Sequence, residues 1–258
     1  MNPLVNTSYQ FAYVALSFAV SVLGSFVALT AATRVRQRNG SISLINTVCA
    51  GLALGGIGVW SMHFIGMVAL KLDLASGYSL LETLVSLVAA VGATALALGF
   101  VARRPNHLPT LIVAGFLLGL GVVVMHYLGM FGMRFGGYIQ WDYAVVGLSA
   151  VIAVVAATAA LWLAFNTRTL GLRACAALLM GVAVCSMHYT GMHAAEFICT
   201  TANRLTPPSG FGVVASMDLP SVVATVATCI AFLISVDQFF QGVDASRRLQ
   251  KAATARAR

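Results

Sequence analysis

The residues best placed to do chemistry are three histidines, each with a methionine just before it and another four positions after it. They are Met62, His63 and Met67; Met125, His126 and Met130; and Met187, His188 and Met192. One pattern, G-x-[GA]-V-x-x-M-H-[FY]-x-G-M, covers all three. Imidazole suits copper, zinc, iron and nickel, and thioether favours Cu(I). The pattern holds no carboxylate, so a site built from it leans toward copper, with zinc as another transition-metal choice. On a helix, residues four apart share a face. His63 and Met67 therefore point together, as do His126 with Met130 and His188 with Met192. Met62, Met125 and Met187 point away from that face and are the weaker ligand candidates. The competing reading is that the histidines bridge helices by hydrogen bonds while the methionines fill gaps in a core.

The elements that carry these residues follow from composition. Of 258 residues, 60% are apolar and 9% are charged, against about 25% charged in a soluble domain. Seven apolar runs stand out, at about 11–33, 45–70, 80–101, 110–130, 143–165, 173–197 and 219–240. Each can cross a hydrocarbon core of about 30 Å as a helix. Lipid offers no partners to backbone polar groups, so the choice lies between helices and a closed barrel. Unbroken apolar runs without period-two alternation select helices. The expected fold is all-α, a transmembrane bundle of seven helices. The six prolines fall in loops or first turns, and Ser79 with Glu82 reads as a capping box for the third helix.

The Met-His pairs begin at 62, 125 and 187, a spacing of 63 and then 62 residues. The chain thus reads as one membrane domain over 1–240. It comprises repeats at about 8–70, 79–133 and 142–197, a seventh helix at 219–240, and a basic tail at 241–258. Three helix pairs of like orientation can pack around a pseudo-threefold axis. Basic residues mark alternate connections: Arg34, Arg36 and Arg38; Arg103 and Arg104; Arg168 and Arg173; then Arg247, Arg248, Lys251, Arg256 and Arg258. The positive-inside rule places the N-terminus outside and the tail in the cytoplasm. All three motifs then lie at similar depth near the outer face. A histidine inside a membrane is costly and marks a functional site by default.

The net charge of +8 resides in these connections and the tail, so no nucleic-acid surface is expected. The five cysteines show no C-x-x-C spacing and predict no disulfide framework. His193 and Glu196 form a possible auxiliary pair beside the third motif. Tyr127 and Tyr189 are candidate hydrogen-bond donors to a bound ligand, while Phe64 at the same place lacks the hydroxyl. Asp142 and Asp218 read as helix caps, His107 as a solvated loop residue, and Asp237 as a polar group near the inner end of the last helix. Gly56, Gly119 and Gly181, seven before each histidine, suit close helix packing. The Gly51–Gly55 and Gly115–Gly119 spacings serve either a homo-oligomer or internal packing.

With these motifs on alternate helices, the chain resembles the bacterial MHYT domain from about residue 8 to residue 240. The resemblance implies a multi-pass sensor domain of the bacterial inner membrane. It places copper on Met62, His63, Met67, Met125, His126, Met130, Met187, His188 and Met192, where oxygen, carbon monoxide or nitric oxide would bind. The first motif departs with Phe64 for Tyr and Ile65 for Thr, and the second with Leu128 for Thr. Many such proteins carry cytoplasmic domains that make or degrade cyclic diguanylate. Only residues 241–258 follow the last run here, so output is expected through a separate cytoplasmic protein, or the chain is part of a longer one. No catalytic residues are expected. The alternative functions are a membrane metal transporter or a metal-dependent redox enzyme.

Overall fold

The computed structural model describes residues 4–37 and 39–256, with side chains for all of these except 238, 242 and 244–256. Of the basic residues behind the expected orientation, Arg38, Arg258 and the side chains of Arg247, Arg248, Lys251 and Arg256 lie outside the described residues. Among the described residues, seven helices are long and apolar enough to cross a membrane: α1 (Phe11–Ala32), α2 (Leu44–Ala69), α3 (Leu80–Arg103), α4 (Leu108–Phe131), α5 (Tyr143–Asn166), α6 (Leu170–His193) and α7 (Leu219–Arg256). The protein is a multi-pass membrane protein with a helical bundle, as its composition requires.

Several helix starts are set by side chains that accept the otherwise unpaired N–H groups of a first turn. Asp142 accepts from Ala144 and Val145 and so caps α5, as expected. Ser43 caps α2 and Thr169 caps α6. His107 is more than a solvated loop residue, since its ring nitrogen accepts from the Thr110 N–H and caps α4. Ser79 differs from expectation. Its hydroxyl donates to the Glu82 carboxylate rather than accepting from the backbone.

The sixth helix ends at His193, short of the expected 197, because Ala195–Cys199 forms a strand. Each helix pair is bracketed in this way. Strand β1 (Thr7–Tyr9) pairs with β2 (Leu70–Leu72) around α1 and α2. Strand β3 (Ser76–Ser79) pairs with β4 (Met133–Phe135) around α3 and α4, and β5 (Gly137–Trp141) with β6 (Ala195–Cys199) around α5 and α6. β7 (Val213–Ala215) adds to β3. The repeating unit is therefore strand, helix, helix, strand, with the strands gathered at the motif end of the bundle. Strands of three to five residues carry too little periodicity to stand out beside runs of this length.

Helices α1 to α6 pack in chain order as a closed ring, with α6 returning to α1. The motif helices α2, α4 and α6 meet at its centre. α7 stands outside the ring and lies against α2. This explains why 83% of the α2 core is buried, against 22% to 39% for the other six. The two GxxxG stripes are used inside this ring. Gly51 and Gly55 lie against Ala95 and Ala90 of α3, and Gly115 and Gly119 against Thr158 and Val154 of α5.

Within α2, residues Leu52–Ser61 form a π-helix, which α4 and α6 lack. This segment holds Gly55, Gly56 and Gly58, and the Ser61 hydroxyl donates to the Gly56 carbonyl at 2.9 Å, five residues back. Glycines relax the steric limits on a widened turn, and such turns concentrate at functional positions.

Candidate metal centre

His63, His126 and His188 lie at the same level of α2, α4 and α6, and their rings meet on the axis of the bundle. All three are buried. Their Nδ1 atoms face one another at 3.1 Å (His63 to His188), 3.1 Å (His126 to His63) and 3.4 Å (His188 to His126). The rings stand nearly perpendicular, with centroids 4.9, 5.0 and 5.2 Å apart. Among the described residues these three form the one group of His, Cys, Asp and Glu with the spacing to hold a metal ion.

Three like atoms at this distance repel unless something positive lies among them. Three lone pairs clash, and so do three N–H groups. One shared proton or one coordinated cation resolves the conflict. For an ion with bonds of about 2.0–2.1 Å to nitrogen, the edge of a tetrahedron is roughly 3.3–3.4 Å. One separation, 3.4 Å, equals that edge and the two of 3.1 Å are slightly shorter, and the donor set suits a transition metal. The residues present therefore fit an ion.

The outer nitrogens complete the arrangement. Each Nε2 is buried without a hydrogen-bond partner among the described residues. Each instead abuts a motif glycine of the neighbouring repeat: His63 against Gly129, His126 against Gly191 and His188 against Gly66. A methyl group on any of these glycines would overlap the imidazole. That is the physical reason for the glycine three positions after each histidine. Metal-bound histidines usually donate their second N–H to an acceptor, and this packing departs from that habit. Gly56, Gly119 and Gly181, seven before each histidine, do mediate close packing, but against Ile230 of α7, Val154 of α5 and Val22 of α1.

The side chains packed around the histidines repeat in the same cyclic order. The aromatic after each histidine packs edge-on against it, with centroids 4.7 Å apart for Phe64, Tyr127 and Tyr189. Above each sits an aromatic from the strand that opens another repeat. Tyr78 covers Phe64, Trp141 covers Tyr127 and Tyr9 covers Tyr189. Partial burial, with Tyr189 nearby, pushes the Tyr9 phenol up to about 12. Burial pushes Tyr78 higher still, so both stay neutral at physiological pH.

The tyrosine hydroxyls meet serines on the partner helices. Tyr189 lies 2.9 Å from Ser17, and Tyr127 lies 2.7 Å from Ser149. Ser86 is the third equivalent, opposite Phe64, which has no hydroxyl. There the Trp60 indole N–H donates to Ser86 at 3.1 Å and to the Thr83 carbonyl at 3.0 Å. These serines and the strand aromatics are not among the expected site residues. Their signal is the serine eight residues after each opening aromatic: Tyr9 and Ser17, Tyr78 and Ser86, Trp141 and Ser149.

The six motif methionines are all buried. Met187 turns away from the strand end and lines an apolar cavity, whereas Met130 borders an outer pocket with Trp141. His193 and Glu196 are exposed, lie outside the histidine group and share no hydrogen bond. At the opposite end, Asp237 of α7 accepts from Cys49 and Gln241, and Gln241 also donates to Asn46 of α2. All five cysteines are free thiols.

The chain matches the MHYT model, described as "Bacterial signalling protein N terminal repeat", three times, over residues 56–114, 119–177 and 181–250. Each match opens on the first glycine of a motif. The chain is 39% identical over 239 residues to the bifunctional diguanylate cyclase/cyclic di-GMP phosphodiesterase MucR of Pseudomonas aeruginosa, covering 89% of this chain and 34% of that protein. It is 36% identical over 195 residues to an uncharacterized signaling protein of Caulobacter vibrioides, covering 75% of this chain and 24% of that one. It is 25% identical over 237 residues to the signaling protein YkoW of Bacillus subtilis, covering 89% and 29%. No solved structure matches at a comparable level. The chain spans about a third or less of the length of these relatives. Three buried motifs on one axis, matched three times over, place the chain in the MHYT family of bacterial signalling proteins.

Proposed function

We propose that this domain is a metal-dependent sensor of a small molecule, with copper held by the Nδ1 atoms of His63, His126 and His188. The convergence of those three atoms to 3.1–3.4 Å carries the reading. Met67, Met130 and Met192 stand one turn further along the same helices and flank the site as thioether donors. Met62, Met125, Met187, His193 and Glu196 take no direct part. A copper ion held by these three imidazoles would supply the affinity for oxygen, carbon monoxide or nitric oxide. The burial of the three imidazoles keeps bulk water from the site. The basic residues set the motif end outward and the far end of α7 in the cytoplasm of a bacterial inner membrane.

In this reading the signal travels through α2. That helix carries His63 near one end and Asn46 and Cys49 near the other. Its π-helical segment lies between them, with Gly56 against Ile230 of α7. The 38 residues of α7 make a helix of roughly 57 Å at 1.5 Å per residue, well beyond the roughly 30 Å hydrocarbon core. A change in the histidine group shifts α2, and α7 relays the shift beyond the membrane. The output is cyclic diguanylate turnover, as the name of the Pseudomonas relative suggests, by a domain on the same chain or on a partner. The mostly apolar lining below the motifs offers a metal ion no path, which disfavours a transporter.

The test is carbon monoxide binding to the copper(I)-loaded protein, followed by infrared spectroscopy. A C–O band that disappears when all three histidines are changed to Ala supports the reading. A loaded protein that shows no band overturns the gas reading while leaving the metal in place.

A further inference from the structure

A cavity of about 40 Å³ lies beside the histidine group, toward the middle of the bundle. Val59, Val122 and Val184 line it, and each stands four residues before one of the three histidines. Met187 lines it too, next to His188, and Ala153 and Ala157 of α5 form the opposite wall. The histidine rings are not part of the lining, so the valines separate the cavity from the imidazoles. Thr94 is the one polar residue in the lining, and its hydroxyl is already committed to the Ala90 carbonyl at 2.7 Å.

A buried water needs two to four polar partners, and empty apolar cavities take up apolar guests instead. This cavity offers a water at most the remaining lone pair of Thr94. Its volume admits one molecule of two or three heavy atoms. Val122, Val184 and Ala156 in its wall are only half-buried, so it opens between helices toward the lipid, where small apolar molecules dissolve readily.

We propose that the cavity bounded by Val59, Val122, Val184, Ala153, Ala157 and Met187 binds one small apolar molecule of diatomic size, a single helical turn from the three histidines. It deepens the sensor reading by adding a holding site from which such a molecule reaches the histidine group. The site itself depends only on volume and lining, so it exists with or without a bound ion.

Xenon is the probe, because it needs no metal. Crystals of the metal-free protein pressurised with xenon should show an anomalous peak between Val59, Val122 and Ala157. Ala157→Leu fills the space and should abolish that peak, and Met180→Ala, on the same lining, should enlarge the space and raise the occupancy. Should Ala157→Leu fail to fold, the Met180→Ala comparison stands alone. No peak in the parent, or an ordered water there bonded to Thr94, overturns the proposal. A parent protein that takes up no copper on loading yet shows the xenon peak overturns the metal reading and leaves this site standing.

Discussion

Ser86 receives the indole N–H of Trp60 at 3.1 Å, and this bond does in the first repeat what a tyrosine hydroxyl does in the other two. Trp60 sits one turn before Phe64, so the donor has moved along the helix while the serine has stayed. The two departures from the repeat thus compensate each other. Trp60→Phe should lower stability by about 1–3 kcal/mol, since it removes the donor to two buried oxygens. Adding Phe64→Tyr should restore part of that loss, because Tyr127 and Tyr189 reach their serines from the same place. Thermal unfolding in detergent measures both. A double variant no more stable than the single one would show that the two positions are uncoupled.

The glycines against the imidazoles should tolerate nothing larger. Gly129→Ala places a methyl group on the His63 ring and should displace it, with loss of metal binding. Gly147→Ala is the control, since nothing lies within 4 Å of a methyl group there. That change should be neutral or stabilising by about 0.5–1 kcal/mol, as for a helical Gly replaced by Ala. Equal copper content and unfolding temperature in the two variants would contradict the packing described.

The contact between α2 and α7 should be separable from the metal. Nitroxide labels at the exposed Ile45 and Phe239 report the distance between the two helices by pulsed electron spin resonance. Loading a diamagnetic copper(I) ion should change that distance in the parent. Gln241→Leu removes the bonds to Asn46, Asp237 and Arg34 and should abolish the change while leaving copper content intact. An unchanged distance in the loaded parent would exclude α7 as the relay.

The ion pair between Arg134 and Glu82, at 2.5 Å, joins β4 to the start of α3. Its arginine side chain is 38% exposed, so water screens the pair, and exposed pairs contribute about 0–1 kcal/mol. Arg134→Ala should therefore cost no more than that in thermal unfolding and leave metal content unchanged. A larger loss would mean that this pair, rather than the helix ring, holds the strand end together.

Much of this architecture is legible in the residues themselves. Apolar runs give the seven helices because nothing else in the sequence can cover so much apolar surface. The 63- and 62-residue spacing brings His63, His126 and His188 to one depth, and helical periodicity turns them inward. The strands are not legible, since β1 to β7 are short, β1 to β6 pair between the two distant ends of one repeat, and β7 joins β3 from outside the repeats. The π-helix in α2 is hidden as well. Its glycines read as packing residues, and only the fold shows the Ser61 hydroxyl reaching back five residues. The motif glycines 66, 129 and 191 gain their meaning only when a histidine from another repeat is laid against them. The exposed positions of His193 and Glu196 follow from the end of α6 at His193, where the chain turns into β6.

The most direct measurement is the metal content of the purified protein after copper loading and removal of free ion. It is read by elemental mass spectrometry beside a variant with His63, His126 and His188 all changed to Ala. One copper per chain in the parent, absent from a variant that still folds, is the expected result. No metal in the parent, or equal metal in both proteins, would contradict it and return the three histidines to a hydrogen-bonded structural trio.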